Sequence, residues 1–280
     1  MFDFLKRAFS PKHEAMSAEL LAAGGWPRLA ETLPLLQGLT EDERGALEYR
    51  MRRFLLEKSF YGAHDFELTP AMLTNIAAQA CLPILALDVD SYKDWLGVII
   101  YPSPFIARDI WRDDVGLVHE GERQIIGMAR QDGPLLLSWP DVTKAPALDG
   151  WNVVIHECAH KLDMMNGSAN GFPLLHKGMN RETWSRVFNR GFEDFRRKLR
   201  LGIPTRIDPY AAQDPAEFFA VLSECFFELP HQLYEEYPRI YEQLSLFYKQ
   251  DPRLRIAKPL VQEFRPEDIP PGSNLYHTNP

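Results

Sequence analysis

Apolar positions recur at helical spacing early in the chain, form short unbroken runs in its middle, and return to helical spacing after Gly150. Over residues 40–60, Leu47, Met51, Phe54 and Leu55 share one face, and Thr40 with Glu43 makes a capping box at the start. A second helix is expected over 69–80, opened by Pro70. Four short apolar runs, 84–87, 96–101, 124–128 and 135–139, are bounded by Pro, Gly and Asp and predict strands. Helices follow over 151–165, stopped at Asn166-Gly167, and over 183–199, 215–228 and 233–249. In the second of these, Trp184, Val187, Phe188, Phe195 and Leu199 line one side. This order predicts an α+β fold, with a small mixed sheet covering one side of a mainly helical body.

One domain is expected over 35–255, after an N-terminal segment, 1–34, that is ordered in part. Six prolines between 251 and 280 mark a Pro-rich tail, 256–280. Phe2, Leu5 and Phe9 fall on one helical face. They read as a docking or frayed terminus rather than a membrane anchor, because so short a turn buries little area. The longest uncharged stretch, 68–89, is broken by Asp88 and carries Pro70, Asn75, Gln79 and Pro83, so no membrane span is expected.

Composition narrows the function classes. The 280 residues are 45% hydrophobic and 25% charged, which excludes wholesale disorder and fibrous architecture. With 31 basic and 39 acidic residues the net charge is −8, and no direct nucleic-acid partner is expected. Cys81, Cys158 and Cys225 are far apart and set among apolar residues. They form neither a disulfide framework nor a paired thiolate zinc site, and they fit a reducing, cytoplasmic setting. The N-terminus lacks the apolar core of a signal peptide.

One segment concentrates chemistry: His156-Glu157-Cys158-Ala159-His160, an HExxH, preceded by Val153, Val154 and Ile155. On a helix, positions i and i+4 share a face, so His156 and His160 can reach one metal ion. Two neutral imidazoles suit zinc and leave room for water and a third ligand. Glu157 is placed to take a proton from that water and pass it to a departing amine. With eight histidines in the chain, chance supplies only ~0.02 such motifs. Lys161 follows the second histidine, where an uncharged residue is usual, and is expected to snorkel outward. Asp163 lies on roughly the same face as His156, where it could bind metal, but it is expected to orient a histidine or to cap.

Two carboxylates compete for the third position. Glu217 falls at N3 of a helix opened by Asp214 and Pro215, where it could equally close a capping box. Glu224 lies one heptad on, in the apolar run 218–227, where an unpaired carboxylate is costly. Either suits the metal, and the other would then bond a ligand histidine. There is no HExxHxxGxxH extension, no GxSxG elbow and no Gly-rich phosphate loop. The two ExxH pairs, Glu157/His160 and Glu228/His231, raise a di-iron bundle, but Pro230 interrupts the second. His119 and His176 read as ordinary polar residues, and Cys158 and Cys225 as core.

HECAHKLDMMNG at 156–167, DPYAAQDPAEFFA at 208–220 and AVLSECFF at 220–227 resemble the Mlc titration factor A family. So do LVH at 117–119, YPSPF at 101–105 and CLPIL at 81–85. The likeness runs from about residue 35 to about 255. That family comprises zincin-like metallopeptidases of gluzincin type, with a catalytic domain similar to that of anthrax lethal factor. The resemblance implies Zn2+ held by His156, His160 and Glu217, with Glu157 as general base; Glu224, amid large apolar neighbours, is then expected to bond a ligand histidine. By the lethal-factor likeness, Tyr210 would stabilise the oxyanion. It further implies a peptide substrate, an aminopeptidase activity, and binding to the glucose-uptake repressor Mlc. Zincins bind substrate backbone along a sheet edge above the active-site helix, and Leu135–Ser138 is the candidate edge. The rival expectation is a non-catalytic protein that sequesters a transcription regulator, with structural or vestigial zinc.

Overall fold

The computed structural model describes residues 25–112, 118–131 and 133–258. The expectations for residues 1–24 and for the tail beyond 258 lie outside the described residues. Helix α1 (Gly25–Thr32) leads into α2 (Glu41–Glu57), whose Thr40/Glu43 capping box forms as the sequence predicts. Leu29 and Leu33 join the same core as Leu47, Met51, Phe54 and Leu55. Helix α3 (Pro70–Cys81) packs on α2 and buries nearly its whole length.

Two strands expected from the apolar runs take other forms. Residues 84–87 are successive turns, with Leu85 N bonded to Leu82 O and Leu87 N to Ile84 O. Arg50 of α2 takes the carbonyls of Ile84 and Leu87, so the run is core without being sheet. The run 124–128 is two strands broken at Ile126: β4 (Val118–Ile125) ends there and β5 (Gly127–Ala129) begins. β1 (Ser59–Gly62) begins where the apolar pattern predicts the end of α2, and β3 (Phe105–Arg112), which the pattern does not predict, pairs antiparallel with β4. The 96–101 run is β2 (Gly97–Tyr101), and Leu135–Ser138 is β6, followed by one helical turn from Trp139.

The main sheet has the order β1-β2-β6-β5, with β1, β2 and β6 parallel and β5 antiparallel to β6. It is thus small and mixed, as expected, but Leu135–Ser138 is not its edge. β6 is paired on both sides, the edges are β1 and β5, and it is β5 that lies against the HExxH helix. The expectation failed because β5 is three residues long and carries Gly127, a pattern too short to read as a strand.

The helical body follows. Helix α4 (Val153–Asp163) carries the HExxH and is buried along its entire length. Helix α5 (Arg181–Arg200) buries Trp184, Phe188 and Phe195 against α6 (Pro215–Glu228). The helix expected over 233–249 is two helices, α7 (Pro230–Glu236) and α8 (Pro238–Tyr248). Tyr237 leaves helical geometry at φ −135° because Pro238 lacks an N–H and disfavours a helical residue before it. α4 lies between the sheet and α6, and that placement builds the site.

Candidate metal centre

Helix α4 starts where Asn152 accepts the Ile155 N–H through its side-chain oxygen. Its start is gripped from α6. Glu224 Oε2 accepts the Asn152 N–H, and Glu228 accepts the Asn152 amide at 2.9 Å and the Gly150 N–H at 3.1 Å. An i,i+4 pair of carboxylates on one helix therefore fixes the beginning of the other.

The two histidines project from α4 to the point where α6 begins. Glu217 Oε2 lies 3.0 Å from His156 Nε2 and 3.2 Å from His160 Nε2, and the two Nε2 atoms are 3.2 Å apart. A tetrahedral ion with ligand bonds of ~2.0–2.1 Å spaces its ligands by about 3.3–3.4 Å. The triangle of donors has that size, and two nitrogens with one carboxylate oxygen suit zinc chemistry. These three form the one group able to hold a metal ion among the described residues.

The second carboxylate, Glu224, takes the other side of His156: Nδ1–H donates to its Oε1 at 2.7 Å. That bond leaves the Nε2 lone pair facing the triangle, the tautomer a metal requires. Glu217 does not close a capping box. Asp214 Oδ1 accepts the Ala216 and Glu217 N–H groups, while the Glu217 carboxylate turns to the histidines. Burial alone would push Glu217 up, but the two histidines outweigh it and hold its pKa well below the ordinary range.

Glu157 lines the same cleft and is 3% exposed. Burial raises its pKa against the pull of His156 and His160, as suits a group that accepts and returns a proton. Tyr210 also lines the cleft, its ring centroid 6.0 Å from that of His156 and its hydroxyl partnered by Glu217. Burial and the charge of Glu217 hold its phenol well above the ordinary range, so it is a hydrogen-bond donor at neutral pH. The cleft measures about 450 Å³, and β5 forms part of its rim through Gly127, Met128 and Ala129. A side chain at Gly127 would place its Cβ 2.5 Å from Glu157 Oε1 and 2.7 Å from Val153 Cγ2. Only glycine lets the edge strand lie this close to the HExxH helix.

Other expectations change. Lys161 does not snorkel outward: it is 3% exposed and donates to the carbonyls of Arg130 and Gly133. Asp163 stands outside the candidate metal group and orients no histidine; it accepts the N–H groups of Asn170, Gly171 and Phe172. His160 Nδ1 is buried without a hydrogen-bond partner among the described residues. His176 and His231 donate to the Phe247 and Ile256 carbonyls and stand apart from the site. Cys158 and Cys225 are buried free thiols, as expected. The sequence reading missed Asn152, though an Asn directly before an apolar helical run is a start signal. It also missed Gly127, which has no local signal.

Glu228 supplies a pH test of the grip on α4. Burial holds its carboxyl well above the ordinary range, although Asn152 and Gly150 pull it down. A carboxyl whose folded pKa is raised contributes stability that is complete below its unfolded value near 4.3, and loses it as pH rises through the folded value. Glu228→Gln should therefore gain on the wild type as pH goes from 5 to 8, by no more than about 1.4 kcal/mol per pH unit. Urea unfolding at pH 5 and pH 8 measures the difference, and parallel pH profiles would refute it.

A family model described as glucose-regulated metallo-peptidase M90 matches residues 8–249. The Mlc titration factor A of Cronobacter sakazakii is 39% identical over 232 residues, covering 81% of this chain and 86% of the relative. That of Escherichia fergusonii matches to the same extent. The Mlc titration factor A of Yersinia pestis is 36% identical over 279 residues, 99% of each chain.

Proposed function

The chain belongs to the glucose-regulated metallo-peptidase M90 family, and from that premise we propose that it is a zinc-dependent peptidase of the zincin-like, gluzincin type. The observation that carries this reading is the triangle of His156, His160 and Glu217 beside the buried, cleft-facing Glu157. Zinc held by those three would supply Lewis acidity, polarising a carbonyl and bringing the pKa of water towards neutrality. Glu157 accepts a proton from the attacking water and returns it to the departing amine nitrogen. Tyr210 turns its hydroxyl from Glu217 to the carbonyl oxygen as negative charge develops there. The open side of β5 offers backbone groups to an extended peptide.

Glu157, Asp214 and Glu217 line the cleft, and no Lys or Arg does among the described residues. That charge favours a free amino terminus over a free carboxylate beside the scissile bond, which supports an aminopeptidase. The three buried free thiols support a reducing, cytoplasmic setting. No helix among the described residues is long and apolar enough to cross a membrane. The relatives' name, Mlc titration factor A, supports a second property, binding of an Mlc-type transcriptional repressor.

The test is elemental analysis of the purified chain with aminoacyl and internally blocked peptide substrates. One zinc per chain is expected, with hydrolysis lost on chelation and restored by zinc. Full hydrolysis by the metal-free chain would overturn the reading.

A further inference from the structure

Two charged side chains on α4, Lys161 and Asp163, find their partners outside the triangle and have no part in the chemistry above. Lys161 reaches under the turn that joins β5 to β6, where its ammonium donates to Arg130 O and, at 2.8 Å, to Gly133 O. It also lies 5.1 Å from the centre of the Trp95 ring. The turn is closed by the Gly133 N–H on Arg130 O at 3.2 Å. It is the far end of the edge strand whose residues Gly127 to Ala129 line the cleft.

Asp163 does the complementary thing two residues on. Its Oδ2 accepts the N–H groups of Asn170 and Gly171, both at 2.7 Å, and its Oδ1 accepts that of Phe172 at 2.9 Å. Ala169 and Asn170 of this loop also line the cleft. The loop is then seated on α6. A Cβ at Gly171, whose φ is +75°, would lie 2.3 Å from the Pro215 carbonyl, two residues before Glu217. Trp184 donates to the Gly171 carbonyl at 3.0 Å.

A buried cation is thus spent on turn carbonyls and a buried anion on loop amides. Charge-assisted bonds of this kind are the strong ones, and their geometry is restrictive. We infer that Lys161 and Asp163 are positioning residues that tie two stretches of the cleft rim, the β5 edge and the 169–172 loop, to the HExxH helix and so set the opening that receives the peptide. Neither touches the triangle. Their loss acts on how the peptide is held rather than on the metal or on proton transfer. The inference rests on the peptidase reading for the nature of the ligand, and its test separates the two.

The experiment uses the full chain loaded with zinc. Hydrogen exchange and the affinities of a peptide hydroxamate and of acetohydroxamate, which lacks the peptide, are compared for wild type, Lys161→Met, Lys161→Arg and Asp163→Asn. In Lys161→Met, exchange over 127–138 rises by about tenfold, and the peptide hydroxamate weakens by about tenfold while acetohydroxamate and zinc content are unchanged. Lys161→Arg, which keeps charge and donors, recovers most of both. Asp163→Asn gives the same pattern with exchange raised over 167–172 instead. In turnover, KM rises by about tenfold with kcat within about threefold. Equal weakening of both hydroxamates, or unchanged exchange at the rim, would overturn the assignment. Should Lys161→Met not fold, Asp163→Asn carries the comparison alone, since Asn keeps the volume and one acceptor oxygen. A wild type without peptidase activity sinks the functional reading, and the hydroxamate and exchange arms then still decide the positioning.

Discussion

Glu157→Gln retains one zinc per chain and loses peptide hydrolysis by roughly 10²–10⁴-fold, the range that a positioned proton-transfer group supplies. The amide occupies nearly the volume of the carboxylate and lies in the same buried place between α4 and β5, so the metal group need not move. What it lacks is a basic oxygen. Burial already lifts the Glu157 carboxyl above its ordinary value, which makes the native side chain a better base and an acid strong enough to return the proton. Tyr210→Phe is the milder companion, lowering kcat by roughly 10²–10³-fold as expected for one lost donor to a developing oxyanion. Its KM changes little, because the hydroxyl serves the carbonyl only as charge builds. The same variant tests the rival function. Glu157→Gln that still binds an Mlc-type repressor would separate sequestration from catalysis. Hydrolysis at the wild-type rate would remove Glu157 from the chemistry.

Periodicity reached the helices and the metal motif because both are local. The i,i+4 placement of His156 and His160 and the Asp214-Pro215 start of α6 need only a few consecutive residues. Pro70 marks the start of α3, and Pro238 divides the one helix that periodicity predicts over 233–249 into two. What escaped was set by partners distant in sequence. The run 84–87 is as apolar as a strand, but Arg50 takes its carbonyls. Lys161 looked exposed because its partners lie 28 and 31 residues away, across the turn that closes the sheet. The edge strand was misplaced for the same reason. The pairing of β6 with both β2 and β5 is a tertiary fact, and the three residues of β5 carry no pattern of their own. The choice between Glu217 and Glu224 was likewise open in the residues alone, since it depends on how α6 crosses α4.

That crossing makes the two glutamates unequal. Glu217→Ala abolishes zinc retention, because it removes one corner of the triangle and leaves two imidazoles to hold the ion. Glu224→Ala keeps all three corners but removes the acceptor for the His156 Nδ1 proton and for the Asn152 N–H. His156 can then adopt the other tautomer or rotate, and zinc affinity falls by roughly 10–100-fold, the usual cost of losing an outer partner of a ligand histidine. Glu217, in the first turn of α6, reaches beyond the helix end into the cleft, whereas Glu224 is 1% exposed beneath the ring it orients. Zinc retained after dialysis, measured by elemental analysis, ranks the variants: wild type, then Glu224→Ala, then Glu217→Ala with none. Glu224→Gln sharpens the comparison, since a carboxamide keeps an acceptor for Nδ1–H without the charge, and should fall between wild type and Glu224→Ala. The reverse ranking, with Glu224→Ala empty and Glu217→Ala loaded, would mean that the carboxylate at the start of α6 is no ligand and that the metal sits deeper along the helix.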